Sequence, residues 1–267
     1  MIIDFHTHAF PDNLAERAIS TLEEGCNVKA KHNGKISSLL KSMDNANIDK
    51  AVVCSIATKP NQFEPILEWS KSICSDRIIP LPSIHPENTN IKEKIKIIFN
   101  EGFKGIKLHP YYQEFIINEE KVFPIYDEIQ KFGLLLVSHT GFDIAFPKDR
   151  IADPIKIIDV LNKFPDLKFI TTHFGGWKDW DEVEKHLISK QIYLELSFSL
   201  ELLDRNKAEK MLLNHPADYL LFGTDSPWTD SKNALDILNS LNINKEIKDK
   251  ILYKNAYRLL SIEDSRP

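Results

Sequence analysis

Two histidines separated by one threonine, His6 and His8, end the apolar run IIDFHTH (2–8). Alternate residues of a strand point to the same side, about 6.6 Å apart along it. Two imidazoles so placed can reach one cation at the usual Zn–N distance of about 2.0–2.1 Å. The plainer use of such a pair is packing. Against packing stands the company these residues keep. Lys107 and His109 close KGIKLH (104–109), His139 closes LLLVSH (134–139), His173 closes KFITTH (168–173) and Asp225 closes YLLFGTD (219–225). Five of the nine histidines therefore sit at the ends of apolar runs, and His85 lies just past another. Imidazoles and a carboxylate around a divalent ion with an open position lower the pKa of water toward about 7. The hydroxide so formed would attack a carbonyl carbon and cleave an amide, ester or lactone.

Something must bring these distant residues together. Eight runs have strand character: 2–8, 51–57, 78–84, 104–109, 134–139, 168–173, 192–199 and 219–225. Their near-continuous apolar character is that of a parallel sheet covered on both faces. Helical patterns fit 13–25 (with Gly25 as C-cap), 89–102, 119–133, 153–164, 179–190, 201–214, 231–242 and 244–262. Pro124 makes the first turn of the third helix irregular. This rhythm predicts an α/β fold, a (β/α)8 TIM barrel spanning 1–267 as one domain, whose strand ends converge on the face where such barrels carry sites. A doubly wound sheet is the competing architecture. The segment 26–47 reads as an extra stretch, its polar part CNVKAKHNGK lying over the barrel mouth.

Composition excludes several classes. The 267 residues are 42% hydrophobic, with a net charge of −5 spread along the chain, which argues against nucleic acid or an anionic membrane as partner. Cys26, Cys54 and Cys74 form no CxxC pair, so a disulfide framework or zinc knuckle is not expected, and a reduced, cytoplasmic setting fits. The N-terminus lacks the features of a signal peptide, and no apolar stretch approaches a membrane span.

DFHTH, GFKGIKLHPYYQEF (102–115), SHTG (138–141), THFGG (172–176) and FGTDSPW (222–228), in this order, resemble the amidohydrolase superfamily. The resemblance is to the branch that includes aminocarboxymuconate-semialdehyde decarboxylase and benzoate-type decarboxylases. It implies metal ligands at His6, His8, His139 and Asp225, with Asp225 also accepting a proton from water. His173 matches a histidine that serves the reaction in mononuclear relatives, polarising a substrate oxygen, and binds a second metal in binuclear ones. Lys107 stands where binuclear relatives can carry a carboxylated, bridging lysine. One Zn2+ is the favoured cofactor, with two ions, or another divalent metal, as alternatives.

The remaining candidates are weaker. His109 is a substrate contact or a turn residue, and Asp4 an outer acceptor or a buried pairing residue. His85 is divided between site rim and loop packing, whereas His32, His186 and His215 read as solvated. Tyr111, Tyr112, Trp177 and Trp228 follow site-bearing strand ends and would wall a pocket for a small organic substrate. The parity of Glu195 is ambiguous. Hydrolysis is the leading activity. Decarboxylation is the runner-up, followed by a phosphoesterase of the polymerase-and-histidinol-phosphatase type and a non-catalytic metal-binding barrel. The substrate stays open, with specificity assigned to loops 26–35, 58–63, 85–89, 110–118 and 142–153, and a homodimer is one option for assembly.

Overall fold

Eight short strands form: β1 (Ile3–Thr7), β2 (Lys50–Cys54), β3 (Ile78–Leu81), β4 (Gly105–Leu108), β5 (Leu135–Ser138), β6 (Lys168–Thr171), β7 (Tyr193–Glu195) and β8 (Leu220–Leu221). The computed structural model describes residues 1–146 and 148–261. All pairings are parallel, in two ladders ordered β1-β2-β3 and β4-β5-β6-β7-β8. Two seams join the ladders. At one, Ser83 bridges to Lys107, and Lys107 N–H donates to Pro82 O at 2.9 Å. At the other, Thr7 bridges to Ser226, and Phe5 N–H donates to Phe222 O at 2.8 Å. The sheet closes into the expected (β/α)8 barrel.

Apolar residues from six strands meet across the barrel, among them Ile3, Val52, Leu81, Val137, Ile170 and Leu221, with Ala256 and Leu260 of the last helix beneath them. This packed floor leaves polar side chains room only at the opposite mouth. The ladder of β1 slips between Asp4 and Thr7, where His6 lies, and such irregularities re-aim side chains beside sites.

The helices are α1 (Asp12–Cys26), α2 (Ile36–Ala46), α3 (Phe63–Ile73), α4 (Ile91–Asn100), α5 (Phe123–Lys131), α6 (Pro154–Lys163), α7 (Trp180–His186), α8 (Arg205–Asn214), α9 (Ser231–Ser240), α10 (Lys245–Asp249) and α11 (Asn255–Leu260). α2 and α3 correct the sequence reading, which placed no helix at either position. α1 ends one residue beyond the expected Gly25 cap, because Asn27 takes the left-handed conformation (φ 53°) that closes it. α5 follows a 3₁₀ turn at Glu120–Val122, the irregular start that Pro124 requires. α8 starts at Arg205 rather than 201, because the Asp204 carboxylate caps Lys207 N–H. The final helical stretch contains a π-helical turn at Lys250–Lys254. Residue 262 of that expected helix, residues 263–267 of the expected domain and residue 147 of the expected loop 142–153 lie outside the described residues.

His215, expected in solvent, is 4% exposed after α8, where its Nε2–H donates to Ile192 O at 3.0 Å. Burial pushes its pKa down to about 4 from 6.5, against the pull of the Ile192 carbonyl. Between those values the unfolded chain binds a proton that the folded chain refuses, so stability falls as pH drops from about 6.5 toward 4. The loss reaches about 3 kcal/mol. Urea unfolding of the wild type and of His215→Gln across this window should show a shallower decline in the variant. Equal slopes would contradict the assignment.

Candidate active site

The site forms where the barrel mouth gathers residues at or just past the strand ends. His6 comes from β1 and His8 follows it, His139 follows β5, His173 follows β6 and Asp225 follows β8, all buried. His173 and Asp225 are held in the left-handed region (φ 57° and 59°), which is uncommon for non-glycine residues. Asp225 N–H donates to His6 O at 2.7 Å, tying the ends of β1 and β8 together. Asp4 reinforces this seam as an outer acceptor: Thr224 N–H and Oγ1–H and His6 N–H all donate to its carboxylate.

Hydrogen-bond partners assign the tautomers. A carbonyl oxygen only accepts, so the imidazole nitrogen facing it carries the proton. His8 Nδ1–H donates to Cys54 O (2.8 Å), His173 Nδ1–H to Ser197 O (3.1 Å) and His139 Nε2–H to Phe142 O (2.9 Å). His6 Nδ1 faces the Glu195 carboxylate at 3.0 Å, whose two oxygens already accept from Ser197 N–H and Oγ–H. Its proton also belongs on Nδ1. Four nitrogens are left without a proton of their own: His6 Nε2, which Lys107 Nζ approaches at 3.2 Å, His8 Nε2, His139 Nδ1 and His173 Nε2. Desolvation first, then the charge of Lys107 and the neighbouring rings, holds His6 and His173 well below the ordinary histidine range and His139 at about 3. These three rings are neutral at pH 7 and keep their lone pairs.

The bare nitrogens face one another. His6 Nε2 and His8 Nε2 are 3.1 Å apart, and Asp225 Oδ1 lies 3.4 and 3.1 Å from them. Ligands bound at about 2.0–2.1 Å around a tetrahedral ion are separated by about 3.3–3.4 Å, close to this triangle. Two lone pairs pointed at each other repel, and a cation between them removes the repulsion. This set fits a divalent metal. His139 Nδ1 meets the cluster through His173 Nε2, again at 3.1 Å, so these two bare nitrogens form a second facing pair. With Nδ1–H directed at Ser197 O, His173 presents its Nε2 lone pair to the cluster.

Lys107 is fully buried, with Nζ 3.2 Å from His6 Nε2 and no carboxylate in salt-bridge reach among the described residues. Burial lowers its pKa, opposed by Cys54, Asp225 and Glu195. His109 lines the same cavity, stacked on His139 with ring centroids 4.3 Å apart. Asp143 Oδ2 approaches both rings at 3.6 and 3.7 Å, and the three residues form a second cluster with ligand-type atoms. His139 Nε2 carries its proton, however, and has no lone pair to give there. The cluster therefore orients His139.

Trp177 and Trp228 line the cavity as expected, but Tyr111 does not. Its hydroxyl turns away to Gly141 O (2.6 Å) and Asp149 O (2.8 Å), pinning the loop after β5, and Tyr112 takes the wall position. That loop also needs Gly141, where a Cβ would overlap the backbone of Trp177. His32, expected in solvent, is half-buried over the mouth and bonds Ser226 Oγ at 2.9 Å, so the polar stretch after α1 does cover the site. His85 serves its own loop, accepting from Glu87 N–H at Nδ1, and half-buried His186 pairs with Glu182 at 3.2 Å.

Ser197 and Asp143 were missed by sequence reading, and Glu195 was left undecided. Glu195 and Ser197 alternate with Leu194 and Leu196, and that alternation was the available signal for one polar face. Gly223 makes room for Glu195, since a methyl there would overlap Glu195 Oε1. Acceptors behind metal-ligating histidines typically contribute 10–100-fold to metal affinity. Glu195→Gln and Gly223→Ala should each weaken zinc binding by about that factor, measured by competition with a chromophoric chelator. Unchanged affinity in both would remove Glu195 from the site.

A closed parallel barrel with imidazoles and an aspartate at its mouth is the architecture of metal-centred barrel enzymes. Residues 3–262 match the family model described as amidohydrolase, and the chain belongs to the amidohydrolase family. Among solved structures it is similar to an uncharacterised TIM-barrel protein from Bordetella bronchiseptica (TM-score 0.78, 21% identity, covering 97% of this chain and 98% of that one). It is also similar to 5-carboxyvanillate decarboxylase from Sphingomonas paucimobilis (0.71, 11%, 98% and 99%). A third is a probable 2-pyrone-4,6-dicarboxylic acid hydrolase from Acinetobacter baumannii (0.66, 15%, 97% and 99%). No curated protein matches the sequence significantly. No helix among the described residues is long and apolar enough to cross a membrane.

Proposed function

We propose that the protein is a metal-dependent hydrolase that cleaves an ester, lactone or amide of a small organic substrate. The observation that carries this is the convergence of bare imidazole nitrogens and the Asp225 carboxylate at one end of a cavity of about 590 Å³. His6, His8 and Asp225 would hold a divalent ion, zinc being suited to this nitrogen-and-oxygen set, with His139 and His173 completing its surroundings or holding a second. Such an ion supplies Lewis-acid polarisation of an oxygen and a lowered pKa for water. Asp225 accepts the proton of the attacking water and holds it in line with the carbonyl carbon. Lys107 Nζ directs N–H donors at the charge that develops on the substrate oxygen. Glu195 and the Cys54 carbonyl keep His6 and His8 in their binding tautomers.

Lys107 is the cationic side chain near the centre and Asp143 and Asp225 the anionic ones, so the bound ion would set the charge that a substrate oxygen meets. The test is a panel of esters, lactones, amides and hydroxybenzoates on zinc-loaded protein in 18O-labelled water. The expected product is a carboxylate carrying one labelled oxygen. Release of carbon dioxide without consumption of water would replace the hydrolase with a decarboxylase, the activity named for the Sphingomonas neighbour.

A further inference from the structure

Two helices line the cavity with apolar side chains, of which Trp69 also packs against the core. On α1, Ala15 and Ile19 pack inward, while Leu14, Ala18 and Leu22, each four residues from the next, face the cavity. On α3, Phe63 and Leu67 are buried in the core, while Ile66 and Trp69 face the same cavity. A helix face outside the core is ordinarily polar. Here it is apolar even at Leu14, which remains 41% exposed. The single charge on these two walls is Arg17, at the exposed rim and without an ion-pair partner among the described residues. The channel is continuous with the histidine cluster.

Resting on the hydrolase reading above, we infer that the substrate carries an elongated hydrocarbon body, a medium-length acyl or arylalkyl group, attached to the reacting carbonyl. At roughly 30 Å³ per water-sized group, the cavity has room for about twenty non-hydrogen atoms. A two- or three-carbon acid derivative would leave most of that space to water against apolar walls. The polar end of the occupant is its reacting end, and the body runs outward between α1 and α3.

Alkyl hydroxamates, which chelate zinc through two oxygens, test this by calorimetry on the zinc-loaded protein. Affinity should rise by about fourfold per methylene from two to eight carbons, the increment for burying a CH₂ group. Ala18→Trp, which fills the channel, should weaken the eight-carbon compound at least tenfold more than the two-carbon one. Equal affinity for the two lengths, or equal effects of Ala18→Trp on both, would overturn the substrate class and leave the metal reading intact. Failure of both compounds to bind protein that retains its zinc would show that the ion has no open position in this cavity and would overturn the hydrolase reading itself.

Discussion

Asp225→Asn is expected to lower kcat by about 10²- to 10⁴-fold on the best ester or lactone substrate, the range that a positioned proton acceptor contributes. The carboxylate sits within 3.1–3.4 Å of two bare imidazole nitrogens, and its backbone is fixed by the hydrogen bond to His6 O. Asparagine keeps the shape and one oxygen donor but cannot take a proton. The loss should therefore persist at saturating zinc, with KM changed far less than kcat. Steady-state kinetics and metal content, measured on the same preparations, separate the two effects. A kcat within threefold of wild type at full metal occupancy would remove the proposed role.

Metal removal should be as severe. Chelation is expected to abolish turnover, and zinc to restore it, because no other group at the mouth replaces the lost Lewis acid. The same experiment has a stability readout. A ligand that binds only the folded state, at a thousandfold excess over its Kd, stabilises by about 4 kcal/mol. For a chain of this size that is a rise in Tm on the order of 10 °C. His6→Ala should lose both the activity and the zinc-dependent rise, since it removes the nitrogen shared by His8, Asp225 and Lys107. If zinc leaves Tm of the wild type unchanged, the facing lone pairs are not a metal site.

Much of this site was legible in the sequence because barrel geometry turns strand ends into neighbours. His6, His8, His139, His173 and Asp225 each close an apolar run, so placing the runs in a barrel placed the residues. What the sequence left hidden depends on side-chain direction. Tyr111 and Tyr112 are adjacent, and only the turn after β4 decides that one pins a loop while the other lines the cavity. Glu195 was ambiguous because its alternation with Leu194 and Leu196 marks a polar face without saying whether that face meets the barrel or the helix layer. The helices α2 and α3 escaped notice for local reasons. ISSLLKSMDNA has two serines in its first turn and no side-chain cap, and FEPILEWSKSI carries Pro65 in its first turn behind a 3₁₀ segment. The apolar stripes of α1 were visible as letters, but their division between core and cavity was not.

His32 and His215 show the same limit from another side. Both lie in polar sequence, yet each finds an oxygen of the fold, Ser226 Oγ in one case and Ile192 O in the other, that sequence spacing does not announce.

X-ray absorption at the zinc edge of the loaded protein tests the central claim most directly. The expected result is a first shell of nitrogen and oxygen at about 2.0–2.1 Å, with imidazole scattering behind it that diminishes in His6→Ala. A sulfur shell at about 2.3 Å, implicating Cys26 or Cys54 of the cavity wall, would contradict it, as would protein that retains no zinc after desalting.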